Sequence, residues 1–296
     1  MSISLNMPSK KSKDLPSLSE NTFLRYFIFI ALYVAQGIPE GMTLFGIPAW
    51  MAMNGKSAGE IGTFVAVFSI PWSFKMVVAP LMDRFSYLPM GRRRPWILFG
   101  QLGLIASFIA MALVPDPLNN LNLLMAAAFA VGFFGSFQDV ATDGMAIDIV
   151  PIHQQARANG LMWGAKIIGT SASLAMGSWL INLYGFSFAI LMLSVLVGLI
   201  MLIPLFSRER SGEKLLPWTS GAASPETKQM QLESWAIIFK SLFSVVSLRN
   251  SLLLGFILFI AQGSYNYIAT LLPIFTVQAL GWTNIAYSNF FATASL

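Results

Sequence analysis

The sequence predicts an all-α, polytopic membrane helix bundle, and three observations carry that prediction. Its 296 residues are 56% hydrophobic and only 10% charged, with a mean hydropathy of +0.67, more apolar side chain than one soluble core of this size can hide. The apolar residues fall in runs long enough to cross about 30 Å of hydrocarbon. A triplet also recurs: Ala35-Gln36-Gly37 and Ala261-Gln262-Gly263 lie in two such runs, and at the same offset Leu32 matches Leu258, Gly55 Gly281, Phe64 Phe290, Ala66 Ala292 and Ser69 Ser295. Each copy opens with an apolar helix, a Gly turn and a second apolar helix, the pattern of parallel repeats related by an axis along the membrane normal.

Residues 1–22 are polar and precede a long apolar run without a small-residue cleavage site, so they read as a cytosolic tail. Helices are expected near 24–53, 58–82, 95–114, 120–147, 157–182 and 185–206, giving an N-terminal six-helix bundle over 23–206. Ser, Gly, Pro and charged residues from Ser207 to Glu226 mark a cytoplasmic linker over 207–249. Within it, 232–246 has the pattern of an amphipathic helix on the membrane surface. A seventh helix near 250–279 and an eighth from about 284 start a C-terminal bundle over 250–296. Because the sequence ends at Leu296 within the eighth helix, the second repeat is expected to be truncated, and this extent of chain alone is not expected to transport. Pro39, Pro48, Pro71 and Pro273 each remove a helix hydrogen bond and are expected to bend their helices. Gly160, Gly164, Ala165, Gly169, Ser173 and Gly177 form a small-residue stripe expected to let the fifth helix approach a neighbour.

Positive charge sets the expected orientation. Fifteen of the eighteen Lys and Arg residues fall on one side: Lys10, Lys11, Lys13, Arg25, Arg84, Arg92, Arg93, Arg94, Arg157, Arg208, Arg210, Lys214, Lys228, Lys240 and Arg249. Only Lys56 falls on the other, while Lys75 and Lys166 lie within helices. The N-terminus and the 207–249 linker are therefore expected in the cytoplasm. The net charge of +5 is a topology signal, and no nucleic-acid partner is implied. With no cysteine, thiolate chemistry is excluded, and His153 is expected in a solvated loop.

An ionisable group inside a bilayer costs at least about 2.5 to 3.5 kcal/mol on insertion scales, so each needs a partner, an aqueous cavity or a function. Glu40, Lys75, Asp139, Asp143 and Lys166 lie inside helices, and Asp148 lies at a helix end. Gln36 and Glu40 are four residues apart, as are Gln262 and Asn266 in the matching helix, so each pair shares a face. Asp139 and Asp143 share one too, and their mutual repulsion makes them a candidate protonation pair. Two readings stay open: Lys75 and Lys166 neutralise Asp143 and Asp139 as structural pairs, or the same groups alternate between lysine and proton during transport. Gln36 and Gln262 serve either as polar glue between helices or as substrate contacts.

Ala79-Pro80-Leu81-Met82-Asp83-Arg84-Phe85, with Gly91-Arg92-Arg93-Arg94 following, resembles the loop between helices two and three of the major facilitator superfamily. The longer loop through Ser86–Met90, Ala49-Trp50-Met51 with Gly55, Phe74-Lys75, Gln138-Asp139-Val140-Ala141-Thr142-Asp143, and Asp148-Ile149-Val150-Pro151 with Arg157 resemble the AmpG-type muropeptide permeases and the related acetyl-coenzyme A transporters. The likeness covers helices one to five. It implies a major facilitator fold, alternating access, an organic solute that is muropeptide-like or another polar metabolite, and proton-coupled symport. It implies that Lys75, Asp139 and Asp143 hold polar positions typical of the group; with Gln36, Glu40, Lys166, Gln262 and Asn266, singled out by their polarity within helices, they make up the expected proton and substrate pathway. It also implies a cytoplasmic gate of Asp83 with Arg92, Arg93 and Arg94, and Arg84, Gly91, Asp148 and Arg157, from the same matching stretches, are expected to belong to that gate motif. Glu40 departs from the pattern, standing where muropeptide permeases usually carry an apolar residue. The expected partners are a small-molecule substrate, H+ and lipid, with no cofactor or metal, in a protein that is a monomer when complete and sits in a bacterial inner membrane.

The rival class is a membrane-embedded enzyme using the Asp139 and Asp143 carboxylates. Phosphotransferases acting on CDP-alcohols resemble Asp-x-x-Asp-Gly-x-x-Ala-Arg, but here the two aspartates are one residue too far apart and Ile147 replaces the arginine. No His-Glu-x-x-His or Gly-x-Ser-x-Gly motif offers another chemistry. An inactive transporter fragment is the third reading.

Overall fold

Prolines shape the first two helices of the computed structural model, which describes residues 17–230 and 234–296. The expectations for Lys10, Lys11, Lys13 and Leu232 lie outside the described residues. Helix α1 (Thr22–Met53) is α-helical to Pro39, π-helical over Glu40–Gly46 and α-helical again over Ile47–Met53. Pro39 has no N–H to give the preceding turn, and the wider turn begins directly after it. Helix α2 (Ala58–Arg84) starts at a capping box in which Ser57 accepts from the Glu60 N–H and the Glu60 carboxylate accepts the Ser57 N–H at 2.8 Å. A 3₁₀ turn over Ile70–Phe74 surrounds Pro71.

Helices α3 (Arg94–Ala112), α4 (Leu121–Ile149), α5 (Ile152–Tyr184) and α6 (Phe186–Leu205) complete the first bundle. After them come short α7 (Pro225–Gln229), α8 (Trp235–Val246), α9 (Arg249–Ala279) and α10 (Asn284–Ala294). Helices α1 to α4, α6 and α9 are each long and apolar enough to cross a membrane. Helix α5, at 33 residues, is long enough too, but polar residues such as Gln155, Asn159 and Lys166 on its cavity side lower its hydropathy. It begins at Ile152 rather than near 157, because Pro151 breaks the chain just before it. His153 and Arg157, expected between helices, therefore sit exposed in its first turns.

The seam between α1 and α5 is a backbone-to-backbone approach. A Cβ on Gly37 would stand 2.4 Å from the Lys166 carbonyl oxygen, and one on Gly169 would stand 2.3 Å from the Val34 carbonyl oxygen. The small-residue stripe accounts for Gly169 and, against Met42, for Gly177. It does not account for Gly160 and Gly164, around which nothing lies within 4 Å of a Cβ; there the missing side chains widen open space and pack nothing.

Helices α9 and α10 meet the first bundle at the end that carries Lys56. The Gln278 amide donates to the carbonyls of Ala52 and Lys56 at 3.2 and 2.8 Å, and the Phe45 and Phe291 rings lie 4.5 Å apart. Ser178 and Ser288 share a 2.6 Å hydrogen bond, with Asn182 donating to Asn284 alongside. Gly55 and Gly281 turn the chain with φ of +75° and +72°, and Ser57 and Thr283 cap the helices that follow them.

At the opposite end, residues 207–230 are folded onto the bundle. Leu18 and Ser19 donate backbone hydrogen bonds to Arg208 and Glu209. Buried Arg94 donates to the carbonyls of Pro204, Leu205, Lys214 and Leu215. The Ser, Gly and Pro content read as a linker is thus a docked strap over this part of its length.

Candidate functional site

Three helices bring charge into the middle of the bundle. Lys75 follows the 3₁₀ turn of α2, so its side chain crosses to α4 and its ammonium bonds the Asp139 carboxylate. Lys166 on α5 reaches Glu40 in the π-helical part of α1 at 2.8 Å. Asp143, one turn beyond Asp139 on α4, accepts the Tyr33 hydroxyl and, among the described residues, has no ion-pair partner. The anticipated structural pairs, Lys75 with Asp143 and Lys166 with Asp139, are corrected: Lys75 takes Asp139 and Lys166 takes Glu40. Asp139 lies deeper along α4, level with Lys75, and the wide turn at Glu40 aims that carboxylate at α5.

These groups line connected spaces. A cavity of about 500 Å³ is bordered by Tyr33, Gln36, Lys75, Asp139, Asp143 and Lys166, and it extends to Val150 and Gln155 at the basic end of the bundle. A second, of about 400 Å³, shares Lys75, Trp163 and Lys166 with the first and adds Glu40, Trp72 and, from α9, Gln262, Tyr265 and Asn266. Gln262 donates to Asn266 at 3.1 Å. All eight residues expected along the pathway therefore face one of the two cavities.

Aromatic rings support the lysines. The Lys75 ammonium lies 4.4 Å from the centre of the Trp72 ring, and Lys166 lies 5.8 Å from that ring and 5.0 Å from Trp163, distances at which an indole face attracts a cation. Trp163 is 54% exposed. Tyr33, Trp72 and Trp163 escaped the sequence reading because aromatic residues in an apolar helix look like core; only the i, i+3 spacing of Trp72 and Lys75 offered a signal.

The residues expected at a gate divide into two groups. Arg92 and Arg93 each bond both Asp83 and Asp148, at 2.8 and 3.1 Å for Arg92 and 2.5 and 3.3 Å for Arg93, tying the ends of α2 and α4 together. Gly91 belongs with them: its φ is +100°, and a Cβ there would stand 2.5 Å from the Glu209 carboxyl carbon. Arg94, Arg84 and Arg157 do not join this cluster. Arg94 points the other way, into the strap; the buried Arg84 Nε has no hydrogen-bond partner among the described residues; and Arg157 lies 5.5 Å from the Tyr26 ring.

Glu209 is the residue the sequence reading missed here. Fully buried, it accepts the backbone N–H groups of Arg92, Arg93 and Arg94, the first two at 3.0 and 2.7 Å. Those of Arg93 and Arg94 are donors that the start of α3 leaves unpaired, so one carboxylate from the strap caps that helix and fixes the backbone carrying the two gate arginines. Burial pushes the Glu209 carboxyl up from its ordinary range, against the pull of those three N–H groups.

An α-helical membrane bundle with ion pairs and a polar cavity buried between its helices defines the class: a polytopic integral membrane protein. Residues 26–296 match the model of the Major Facilitator Superfamily, and the chain belongs to that family. It is 28% identical over 156 residues to the anhydromuropeptide permease of Escherichia coli (strain K12), covering 53% of this chain and 31% of that protein. The AmpG 4 protein of Rickettsia felis is 26% identical over 215 residues, covering 68% of this chain and 51% of the relative. An uncharacterized protein of Haemophilus influenzae is 31% identical over 147 residues, covering 48% and 33%. The chain thus spans between about a third and a half of the length of these relatives.

Proposed function

We propose that the chain takes part in proton-coupled symport of a polar organic solute by alternating access. The arrangement that carries this reading is the unequal pairing of two carboxylates on one face of α4: Asp139 with a lysine, Asp143 with a neutral hydroxyl. A proton arriving at Asp143 needs to displace no cation. Once protonated, Asp143 no longer repels Asp139, and Lys75 can redistribute between Asp139 and a solute. The positive-inside charge count supports a topology with the Asp83, Arg92, Arg93 and Asp148 cluster in the cytoplasm and the Lys56 turn outside. Membership in the family and the permease relatives favour a bacterial inner membrane and a muropeptide-like or other polar metabolite. A metal-dependent enzyme is disfavoured, since a lysine ammonium already occupies Asp139, the carboxylate such chemistry would need free.

The test is uptake of a radiolabelled anhydromuropeptide into vesicles holding this chain together with the remaining C-terminal helices of the second repeat, with and without an inward proton gradient. Accumulation that follows the gradient and collapses with a protonophore is expected. Gradient-independent equilibration would leave only facilitated diffusion and overturn the coupling.

A further inference from the structure

Helices α9 and α10 hydrogen-bond to the first bundle at the Lys56 end, and they do so through side chains. Ser178 and Ser288, both fully buried, share a bond of 2.6 Å, and one turn along each helix Asn182 donates to Asn284 at 3.1 Å. Helices α5 and α10 thus meet through two polar pairs at i, i+4 spacing. Gln278 of α9 closes on the turn between α1 and α2, donating to the Ala52 and Lys56 carbonyls. Phe291, one turn beyond Ser288, lies 4.5 Å from Phe45 across the same seam and also borders a space shared with Glu40 and Lys166, which sets the seam directly beside the charged groups.

The seam inside the first bundle is built differently. There the α1 and α5 backbones touch at Gly37 and Gly169, where a methyl group does not fit, and a joint packed that closely has one arrangement. Hydroxyls and amides instead exchange a protein partner for water when two surfaces part, at small net cost. Asn284 and Tyr287 of α10 are fully buried, and the Asn284 Nδ2 and the Tyr287 hydroxyl have no hydrogen-bond partner among the described residues. Closing the α5 and α10 seam therefore strips these groups of hydration that opening returns.

We infer that the pairs Ser178 with Ser288 and Asn182 with Asn284, together with Gln278 on the Lys56 turn, form a latch that shuts the polar cavities from the Lys56 side and parts to admit solute there. The inference rests on the transport reading and deepens it by naming the residues that gate the end away from the Arg92 and Arg93 cluster. A latch of hydrogen bonds has two arrangements of similar free energy, bonded across the seam or bonded to water, as an element that opens and closes in each cycle requires.

The test uses this chain together with the remaining C-terminal helices of the second repeat, in intact cells, with Ser73→Cys on the border of the smaller cavity as the only cysteine. The rate at which that thiol reacts with an impermeant maleimide added outside reports opening at the Lys56 end. Ser178→Ala leaves the Ser288 hydroxyl buried and unpaired while the seam is shut, and is expected to speed labelling at least about fivefold. Adding Ser288→Ala removes the unpaired hydroxyl and is expected to reverse most of that gain. A rate that Ser178→Ala leaves unchanged or lowers overturns the assignment. If Ser178→Ala does not give folded protein, Asn182→Ala and Gln278→Ala, both at exposed positions, take its place and must each speed labelling for it to stand. Without the reporter, Ser178→Cys and Ser288→Cys bridged by a mercuric ion are expected to stop uptake until dithiothreitol removes the bridge; uptake at the unbridged rate would make the contact a strut that stays shut throughout. Labelling that responds as stated without proton-driven uptake keeps the latch and removes the coupling, and proton-driven uptake with unresponsive labelling does the reverse.

Discussion

Tyr33 on α1 donates its hydroxyl hydrogen to a carboxylate oxygen of Asp143 on α4, while the neighbouring Asp139 holds the Lys75 ammonium. One turn of helix thus carries two carboxylates in opposite states of pairing, and that inequality separates their expected behaviour.

In the complete transporter, Asp143→Asn is expected to abolish accumulation against a gradient and to leave solute exchange partly intact, because an amide still accepts the Tyr33 hydroxyl but binds no proton. Tyr33→Phe removes the hydroxyl and leaves the carboxylate without its partner, so it should alter the pH dependence of uptake with Asp143 still present. Uptake and exchange measured in parallel on both variants decide the matter; full proton-driven accumulation by Asp143→Asn would exclude Asp143 as the proton site.

Lys75 and Asp139 should show coupled loss and recovery. Removing one member of a fully buried pair typically costs about 3 to 5 kcal/mol because the other charge is left unpaired, and the exposure of Lys75 to the cavity makes the cost smaller here. Lys75→Met and Asp139→Asn should each lower the midpoint of thermal unfolding in detergent, and the double variant should recover part of it while remaining unable to accumulate solute. Recovery of both stability and proton-driven uptake would make the pair a strut.

Much of this was legible in the sequence, for physical reasons that differ by residue. Charges inside apolar runs announce themselves because their burial is costly, which is why Glu40, Lys75, Asp139, Asp143 and Lys166 could all be singled out. Their pairing was not legible, since it depends on a π-helical turn after Pro39 and a 3₁₀ turn around Pro71 that rotate Glu40 and Lys75 relative to a regular helix. Glu209 was hidden for another reason: among the charges of an apparent linker, nothing local marks the one carboxylate that reaches three N–H groups more than a hundred residues earlier in the chain.

The α1 and α5 seam predicts a contrast between glycines. Gly37→Ala forces a methyl group against the backbone of Lys166 and Thr170, at 2.4 and 2.5 Å, where nothing flexible can yield. A loss of about 1 to 3 kcal/mol is expected, typical of overpacking. Gly160→Ala meets open space and should be neutral or slightly stabilising. Unfolding midpoints of the two variants compared with the parent check the ranking, and equal values would mean the helices do not touch at Gly37.

Topology is open to a direct test because the chain has no cysteine. Single cysteines at Ser57, in the Lys56 turn, and at Ser220, in the strap, should react differently with an impermeant maleimide on intact cells: position 57 labelled, position 220 labelled only after the membrane is opened. The reverse pattern would invert the protein.

The strap should loosen as pH rises. Glu213 is buried; burial and the neighbouring Glu209 carboxylate push its pKa from 4.5 up to about 7, against the Thr227 hydroxyl and the Arg210 N–H that donate to it at 2.8 and 3.0 Å. Below about pH 4.5 the group is protonated whether the strap is docked or released, and docking carries no penalty from it. Between there and about pH 7 the released strap gives up the proton while the docked one retains it, so docking weakens steadily; above about 7 the loss is complete and constant. Backbone hydrogen exchange over residues 207–230 should therefore run faster at pH 8 than at pH 5, after correction for intrinsic exchange, by about tenfold or more. Glu213→Gln, neutral at every pH, should reduce the difference, leaving the part that belongs to Glu209, whose carboxyl burial also pushes up. A strap equally protected at both pH values in the parent protein would place the control of its docking elsewhere.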